Sequence, residues 1–190
     1  MSRETKETQV SLELGLDGSG RFAISTGVGM LDHLLEQLAR HGLFDLTIEA
    51  SGDIERDPHH LVEDIGLVLG QAFSQALGER RGIVRMGHAI VPLDEALALV
   101  AVDLGGRGHA SVEADFGREV MGGLPLEMLR HWLGAFAVEG RLNLHVRLLA
   151  GANDHHKAEA IFKALARALS DAVRLDERTA GEIPSTKGTL

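Results

Sequence analysis

The 190-residue chain repeats itself, which points to one supersecondary unit built twice and stacked on its own copy. Met30-Leu31-Asp32-His33-Leu34-Leu35 is answered by Met128-Leu129-Arg130-His131-Trp132-Leu133, an offset of 98 residues. The same offset relates Gly42 to Gly140, Leu46 to Leu144 and Ile48 to Val146. A second block, Asp57-Pro58-His59-His60-Leu61-Val62-Glu63, matches Asn153-Asp154-His155-His156-Lys157-Ala158-Glu159 at an offset of 96, so the intervening loop has lost two residues. Ile65, Leu69, Ala72 and Ala76 then match Ile161, Leu165, Ala168 and Ala172. The expectation is one domain made by internal duplication, with halves at about 8–91 and 92–175 and a C-terminal tail at 176–190.

Periodicity sketches each half. Val10, Leu12, Leu14 and Leu16 alternate with polar residues as a strand, and Asp17-Gly18-Ser19-Gly20 suggests a hairpin into a second strand near Arg21 to Ser25. Leu31, Leu34, Leu35 and Leu38 give a helix over Gly29 to Arg40 that stops at Gly42; Phe44, Leu46 and Ile48 form the next strand. Asp57 and Pro58 mark the N-cap and first turn of a helix reaching Gly78. The second half predicts strands near Ala96 to Asp103, Gly108 to Asp115 and Leu142 to Leu149, with helices near Leu124 to Val138 and Asp154 to Val173. Two pseudo-symmetric β-β-α-β-α halves, each a mainly antiparallel sheet with two helices on one face, make an α+β fold.

Composition narrows the chemistry. With no cysteine, thiolate metal sites, iron–sulfur clusters and disulfides are excluded, and metal binding must use nitrogen and oxygen. The longest apolar stretch, Ala96 to Val102, is too short to cross a bilayer, and Met1-Ser2-Arg3-Glu4-Thr5-Lys6 has no hydrophobic signal core, so a soluble cytoplasmic protein is expected. A net charge of −9 argues against nucleic acid as partner. Ten histidines beside no tyrosine are the outlying count.

Their placement is ordered. Glu63 is a helical turn from His59 and His60, and Glu159 from His155 and His156. Adjacent histidines diverge by about 100° around a helix axis, so each pair could feed two different ions. His33 and His131 add one histidine per half, giving eight candidate ligands: His33, His59, His60, Glu63, His131, His155, His156 and Glu159. A single His-Glu pair at helical spacing is commonly a solvated ion pair. Random placement, however, yields roughly 0.04 occurrences of His-His-x-x-Glu in such a composition, and this chain has two in register. Such ligation suits Mn, Fe, Zn or Ni, and spacing does not choose among them. Arg85 and Arg107 lie beside glycines, Lys163 stands four residues after Glu159, and Pro184-Ser185-Thr186-Lys187-Gly188 combines hydroxyls with an ammonium, all compatible with an anion site.

Met30-Leu31-Asp32-His33, Asp57-Pro58-His59-His60 with Glu63-Asp64, Asp154-His155-His156 with Glu159, and Pro184-Ser185-Thr186-Lys187-Gly188 closely resemble the imidazoleglycerol-phosphate dehydratase family, in its order and spacing. The resemblance runs from Thr5-Lys6-Glu7-Thr8 to the tail. It implies removal of water from imidazole glycerol phosphate, a step of histidine biosynthesis, with two manganese ions per active site held by the same eight residues. It implies further that Glu7 is an acid–base carboxylate beside the substrate's glycerol chain, and that His41, Arg85, Arg107, Lys163, Ser185, Thr186 and Lys187 bind substrate and phosphate. Gly29-Met30, His88 and Gly108-His109 depart from the family's usual Pro-Phe, Asp and Pro-Tyr, positions that support the ligands rather than supply them.

The implied chemistry explains the constellation. The proton to be removed is not next to a carbonyl, so its acidity must come from the imidazole ring; a metal on the ring nitrogen stabilises imidazolate, which expels the hydroxyl to give a diazafulvene-like intermediate. Glu7, or a metal-bound carboxylate, would shuttle protons, with Glu159, His60 and His156 as the other candidate catalytic residues. The family also implies a large homo-oligomer, a 24-subunit cage of trimers with active sites between subunits. Two competing readings, a two-metal phosphatase and a metal-storage scaffold, would use the same ligands.

Overall fold

The computed structural model describes residues 1–179 and 181–190. The first sheet contains β1 (Ser2–Glu4), β2 (Thr8–Gly15), β3 (Phe22–Ser25) and β4 (Asp45–Gly52); α1 (Gly29–Gly42) precedes β4 and α2 (His59–Leu77) follows it. The second contains β5 (Met86–Leu93), β6 (Ala96–Asp103), β7 (His109–Glu113) and β10 (Asn143–Ala150). A two-stranded ribbon, β8 (Val120–Met121) and β9 (Leu124–Pro125), leads into α3 (Glu127–Glu139), and α4 (Asp154–Val173) follows β10. The strand orders β1-β2-β4-β3 and β5-β6-β10-β7 are the same path traced twice, antiparallel except for one parallel pair in each sheet.

The α+β class and the duplicated halves stand as expected, with three differences in detail. Each four-stranded sheet has one more strand than the sequence pattern showed, β1 in the first and β5 in the second, and the β8–β9 ribbon takes Leu124–Pro125, so that the helix expected from Leu124 starts at Glu127. Because β5 pairs with β6, the seam between the sheets falls ahead of Met86 rather than at 91/92, and the first sheet begins at Ser2 rather than near residue 8. The hairpin expected at Asp17–Gly20 does not form: β3 lies parallel to β4, which has taken the place beside β2. A parallel neighbour requires a crossover, and α1 supplies it. The connection out of β2 instead crosses the start of β4, where Asp45 Oδ1 accepts the N–H groups of Ser19 (2.8 Å) and Arg21 (3.0 Å).

The helices carry the sheets' buried faces inward. α1 and α2 cover the first sheet, α3 and α4 the second, and the two layers meet with α1 against α4 and α2 against α3. Inward positions alternate along the strands, as in Val10, Leu12, Leu46, Ile48, Ala98, Val100, Leu144 and Val146, all buried. Trp132 stacks on Phe136 at 5.5 Å, and Phe73 and Phe162 pack edge-on or tilted around them, so the aromatic centre of the core lies between the helix layers. Gly70 makes the close approach of α2 and α3 feasible, since a Cβ there would sit 2.7 Å from the Phe136 carbonyl oxygen and 2.8 Å from the Gly140 nitrogen. No helix among the described residues is long and apolar enough to cross a membrane.

Candidate metal centres and their surroundings

Crossed helix pairing decides which histidines meet. His33 on α1 reaches His155 and Glu159 on α4; His131 on α3 reaches His59 and Glu63 on α2. Each cluster therefore takes one histidine from one half and a His-Glu pair from the other. His33 Nε2 and His155 Nε2 both stand 3.1 Å from Glu159 Oε2, with their rings stacked 5.3 Å apart. In the other cluster His131 Nε2 is 3.0 Å from Glu63 Oε1, and the His59 and His131 ring centres are 4.7 Å apart.

Both helices that carry a His-His pair begin in the same way. Asp57 Oδ1 accepts the His59 N–H and Asn153 Oδ1 accepts the His155 N–H, each at 2.9 Å. The cap holds the pair in the first turn, and the 100° step then separates its members. His59 and His155 enter the clusters, while His60 and His156 turn away to other carboxylates. His60 Nδ1 lies 3.6 Å from both Glu7 Oε2 and Asp53 Oδ1. His156 Nδ1 donates to the Glu95 carboxylate oxygen Oε2 at 2.7 Å, with Asp94 Oδ2 3.6 Å from its Nε2. One chain thus assembles six of the eight expected ligands into two triads and leaves His60 and His156 outside them.

The donor sets fit divalent ions. His131 Nε2 is a buried atom, yet it is out of line for a hydrogen bond to Glu63 despite the short separation, so its polar capacity is unspent within the chain. Donors 3.0–3.1 Å apart in both triads match the spacing of about 3.0 Å that adjacent ligands adopt around an ion at about 2.1 Å and right angles. Burial alone would raise the Glu159 carboxyl; hydrogen bonds with Lys163 and His33 outweigh it and hold the group down to about 2. Lys163 Nζ sits 2.5 Å from Glu159 Oε1, which leaves Oε2 to the histidines.

The remaining expected residues divide. His41 hydrogen-bonds Gln37 (3.2 Å), and burial together with nearby Lys163 lowers its pKa, which places it on the side of the α1–α4 triad. Glu7 is half-exposed, with no hydrogen bond to its carboxylate among the described residues. Arg85 is spent on structure: Nε and Nη2 clasp Asp103 at 2.7 and 3.0 Å, and Nη1 donates to the Pro184 carbonyl at 2.7 Å. That bond lays the tail across the loop after β6, with Leu190 against Gly106. Arg107, Thr186 and Lys187 are exposed and Ser185 half-buried in this second cluster. No hydrogen bond or ion pair among the described residues ties it to either triad within the chain. Asp53, Asp94 and Glu95 were not anticipated. Each is a single carboxylate in a loop, without periodic spacing to single it out.

A duplicated α+β fold whose helix layers hold two His-His-Glu donor sets, with a third group of Glu7, Asp53 and His60 beside them, is that of a protein with candidate metal-binding centres. The family model described as imidazoleglycerol-phosphate dehydratase matches residues 26–169. The imidazoleglycerol-phosphate dehydratase of Dehalococcoides mccartyi is 58% identical over 190 residues, covering 100% of this chain and 95% of that protein. The crystal structure of the Staphylococcus aureus enzyme superposes with a TM-score of 0.82 at 36% identity, covering 93% of this chain and 98% of that one. The Pyrococcus furiosus enzyme in complex with (S)-C348 gives 0.86 at 36% identity, with full coverage of both chains. The chain belongs to the imidazoleglycerol-phosphate dehydratase family, whose members are hydro-lyases.

Proposed function

We propose that this protein removes water from D-erythro-imidazole glycerol phosphate to give imidazole acetol phosphate, in histidine biosynthesis in the cytoplasm. The observation that carries this is the pair of His-His-Glu triads at hydrogen-bond spacing, related by the internal repeat. Two manganese ions, one per triad, would supply the Lewis acidity that lets the substrate ring pass through an imidazolate and a diazafulvene. His33, His155 and Glu159 would hold one, and His59, Glu63 and His131 the other. His60 and His156, outside their own chain's triads, complete those of neighbouring copies, which calls for a large homo-oligomer such as the family's 24-subunit cage of trimers.

The residues then share the work. Glu7 is the uncommitted carboxylate: it takes the proton from the carbon beyond the ring-bearing one as the ring-bearing carbon loses its hydroxyl, so that proton and hydroxide leave together as water. The resulting enol becomes the ketone by gaining a proton on carbon and losing one from oxygen. Lys163 keeps Glu159 ionised, and His41 flanks the same triad. Arg107, Ser185, Thr186 and Lys187 bind the phosphate, while Arg85 holds the tail that carries three of them. The domain is one unit of two halves with 176–190 as its substrate-binding tail.

The test is turnover of imidazole glycerol phosphate by chelated protein, before and after adding manganese, following ketone and free phosphate together. Ketone that appears only with metal, without phosphate release, is expected. Phosphate release would establish a two-metal phosphatase, and bound metal with neither product a storage protein.

A further inference from the structure

The repeat extends to a residue that the motif spacing did not reveal. Leu12 of β2 pairs with Ile48 of β4, and Val100 of β6 pairs with Val146 of β10. Ile48 and Val146 are repeat-related, so Leu12 and Val100 are too. Five residues earlier on each strand stand Glu7 and Glu95. Both carboxylates face the outlying histidine of their own half, Glu7 at His60 and Glu95 at His156. The copies have diverged in what they do there. Glu7 Oε2 is 3.6 Å from His60 Nδ1, beyond a hydrogen bond, and a second carboxylate, Asp53, is equally near. Glu95 Oε2 makes a 2.7 Å bond to His156 Nδ1, and its Oε1 accepts the N–H groups of Ala152 (3.1 Å) and Asn153 (2.7 Å) at the entry to α4. That entry, Gly151-Ala152-Asn153, offers no carboxylate of its own.

We propose that Glu95 is a positioning residue: by fixing the proton of His156 on Nδ1 it leaves Nε2 as a lone-pair donor for a metal ion. This rests on the two-metal reading above. A neutral imidazole has one N–H and one lone pair, and the partner of one nitrogen decides which of them the other presents. A carboxylate on the far nitrogen of a metal-binding histidine fixes both tautomer and ring orientation, and its loss typically weakens metal binding about 10- to 100-fold. The duplication thus placed a carboxylate at both outlying histidines. One copy, Glu7, makes no hydrogen bond to its histidine and is free for proton transfer, and the other is committed to holding its histidine.

Glu95→Gln tests this with little change of shape. The amide oxygen can keep the Ala152 and Asn153 N–H groups, which turns the amide NH2 toward His156 Nδ1. Two donors cannot pair, so the ring proton moves to Nε2, the atom the metal needs. Manganese titration of the metal-stripped full-length protein, read from the electron paramagnetic resonance signal of the free ion, is expected to show two ions per wild-type chain. In the variant one ion keeps its affinity and the other binds about 10- to 100-fold more weakly. Nitrogen chemical shifts of His156 in the metal-free protein should move from the Nδ1–H to the Nε2–H tautomer, a change that a loop-anchoring role would not produce. Glu95→Ala, which loses the backbone contacts as well, is expected to lower the thermal midpoint where Glu95→Gln does not. Wild-type-like binding of both ions by Glu95→Gln overturns the role of Glu95 alone. A wild-type chain that binds no manganese overturns the two-metal reading and this assignment with it.

Discussion

Replacing Glu7 with glutamine keeps the side chain's shape and removes its basicity. Glu7 belongs to neither triad, although it stands with Asp53 and His60 in a third carboxylate–histidine group, so the variant should still bind the two triad ions while turnover falls by about 10²- to 10⁴-fold, the usual share of a general base. Turnover within a factor of a few of wild type would remove Glu7 from the mechanism. At this scale sequence reasoning works where residue types repeat: the eight candidate ligands stand out because His-His-x-x-Glu occurs twice with a third histidine in step, and six of them meet in the two triads. Glu95 stayed hidden for a physical reason. The strands β2 and β6 stand 88 apart (Leu12 to Val100), not the 98 of Ile48 to Val146, since the segments between strand and partner differ in length. A carboxylate just before a strand carries no periodicity of its own. Arg85 shows the converse, a residue that resemblance assigns to phosphate and that geometry spends on Asp103 and Pro184.

Elements are held by two kinds of device, each with its own test. The first is the approach of α2 to α3 at Gly70. Alanine there would gain about 1 kcal/mol of helix propensity, but its Cβ would meet backbone atoms at 2.7 and 2.8 Å that cannot swing aside. Overpacking of about 1–3 kcal/mol therefore wins. Gly70→Ala should lower the thermal midpoint and weaken one of two manganese ions, because His59 and Glu63 move away from His131 while the α1–α4 triad is untouched. Both ions bound as before would show that the helix spacing does not set the triad. The second device is Asp45, whose carboxyl is held below the usual carboxylate range by the Arg21 hydrogen bond first and then by the N–H groups of Ser19 and Arg21. A folded-state pKa below the unfolded value of about 3.9 contributes stability that is complete above that pH and is lost as pH falls toward the folded value. The gap in thermal midpoint between wild type and Asp45→Asn should be constant from pH 8 to 5 and close below about pH 4; a gap unchanged in acid would assign the loss to something other than the charge. The same carboxylate explains the misread hairpin. Asp17-Gly18-Ser19-Gly20 does turn the chain, but Asp45 draws the turn across β4. β5 escaped the periodicity because three of its four outward residues, Met86, Ile90 and Pro92 but not His88, are as apolar as its inward ones, and because α4 rests on Gly87, where a Cβ would stand 2.0 Å from the Ala168 carbonyl oxygen.

Duplication gives the molecule two sheets of one topology, and their outer faces differ. On the first, Gln9, Ser11, Glu13, Thr47, Glu49 and Ser51 point outward, an ordinary solvated surface. The corresponding face of the second carries Met86 (62% exposed), Ile90 (56%) and Leu149 (49%), with Leu97 and Leu99 between them. His88, His145 and Arg147 share that face, so the apolar part is the patch around Ile90, Leu97, Leu99 and Leu149; an exposed apolar patch on a sheet is a candidate contact surface, and since both halves descend from one unit, the difference cannot come from topology. The assembly proposed above then has two independent means open to it, an apolar patch on this sheet and metal ions completed by His60 and His156, which lie outside their own triads. The two are separable. Ile90→Glu puts a charge into the sheet contact without touching a ligand, and it should reduce the particle mass measured by light scattering while the protein stays folded, since the residue it replaces is already more than half exposed. Removing metal from wild type should reduce the mass by a different step, because a ligand bridging copies stabilises only the assembled state. An Ile90→Glu particle of unchanged mass would clear the second sheet of any part in assembly. A chelated wild type of unchanged mass would mean that His60 and His156 do not reach another copy's ions, and the site would have to close within one chain.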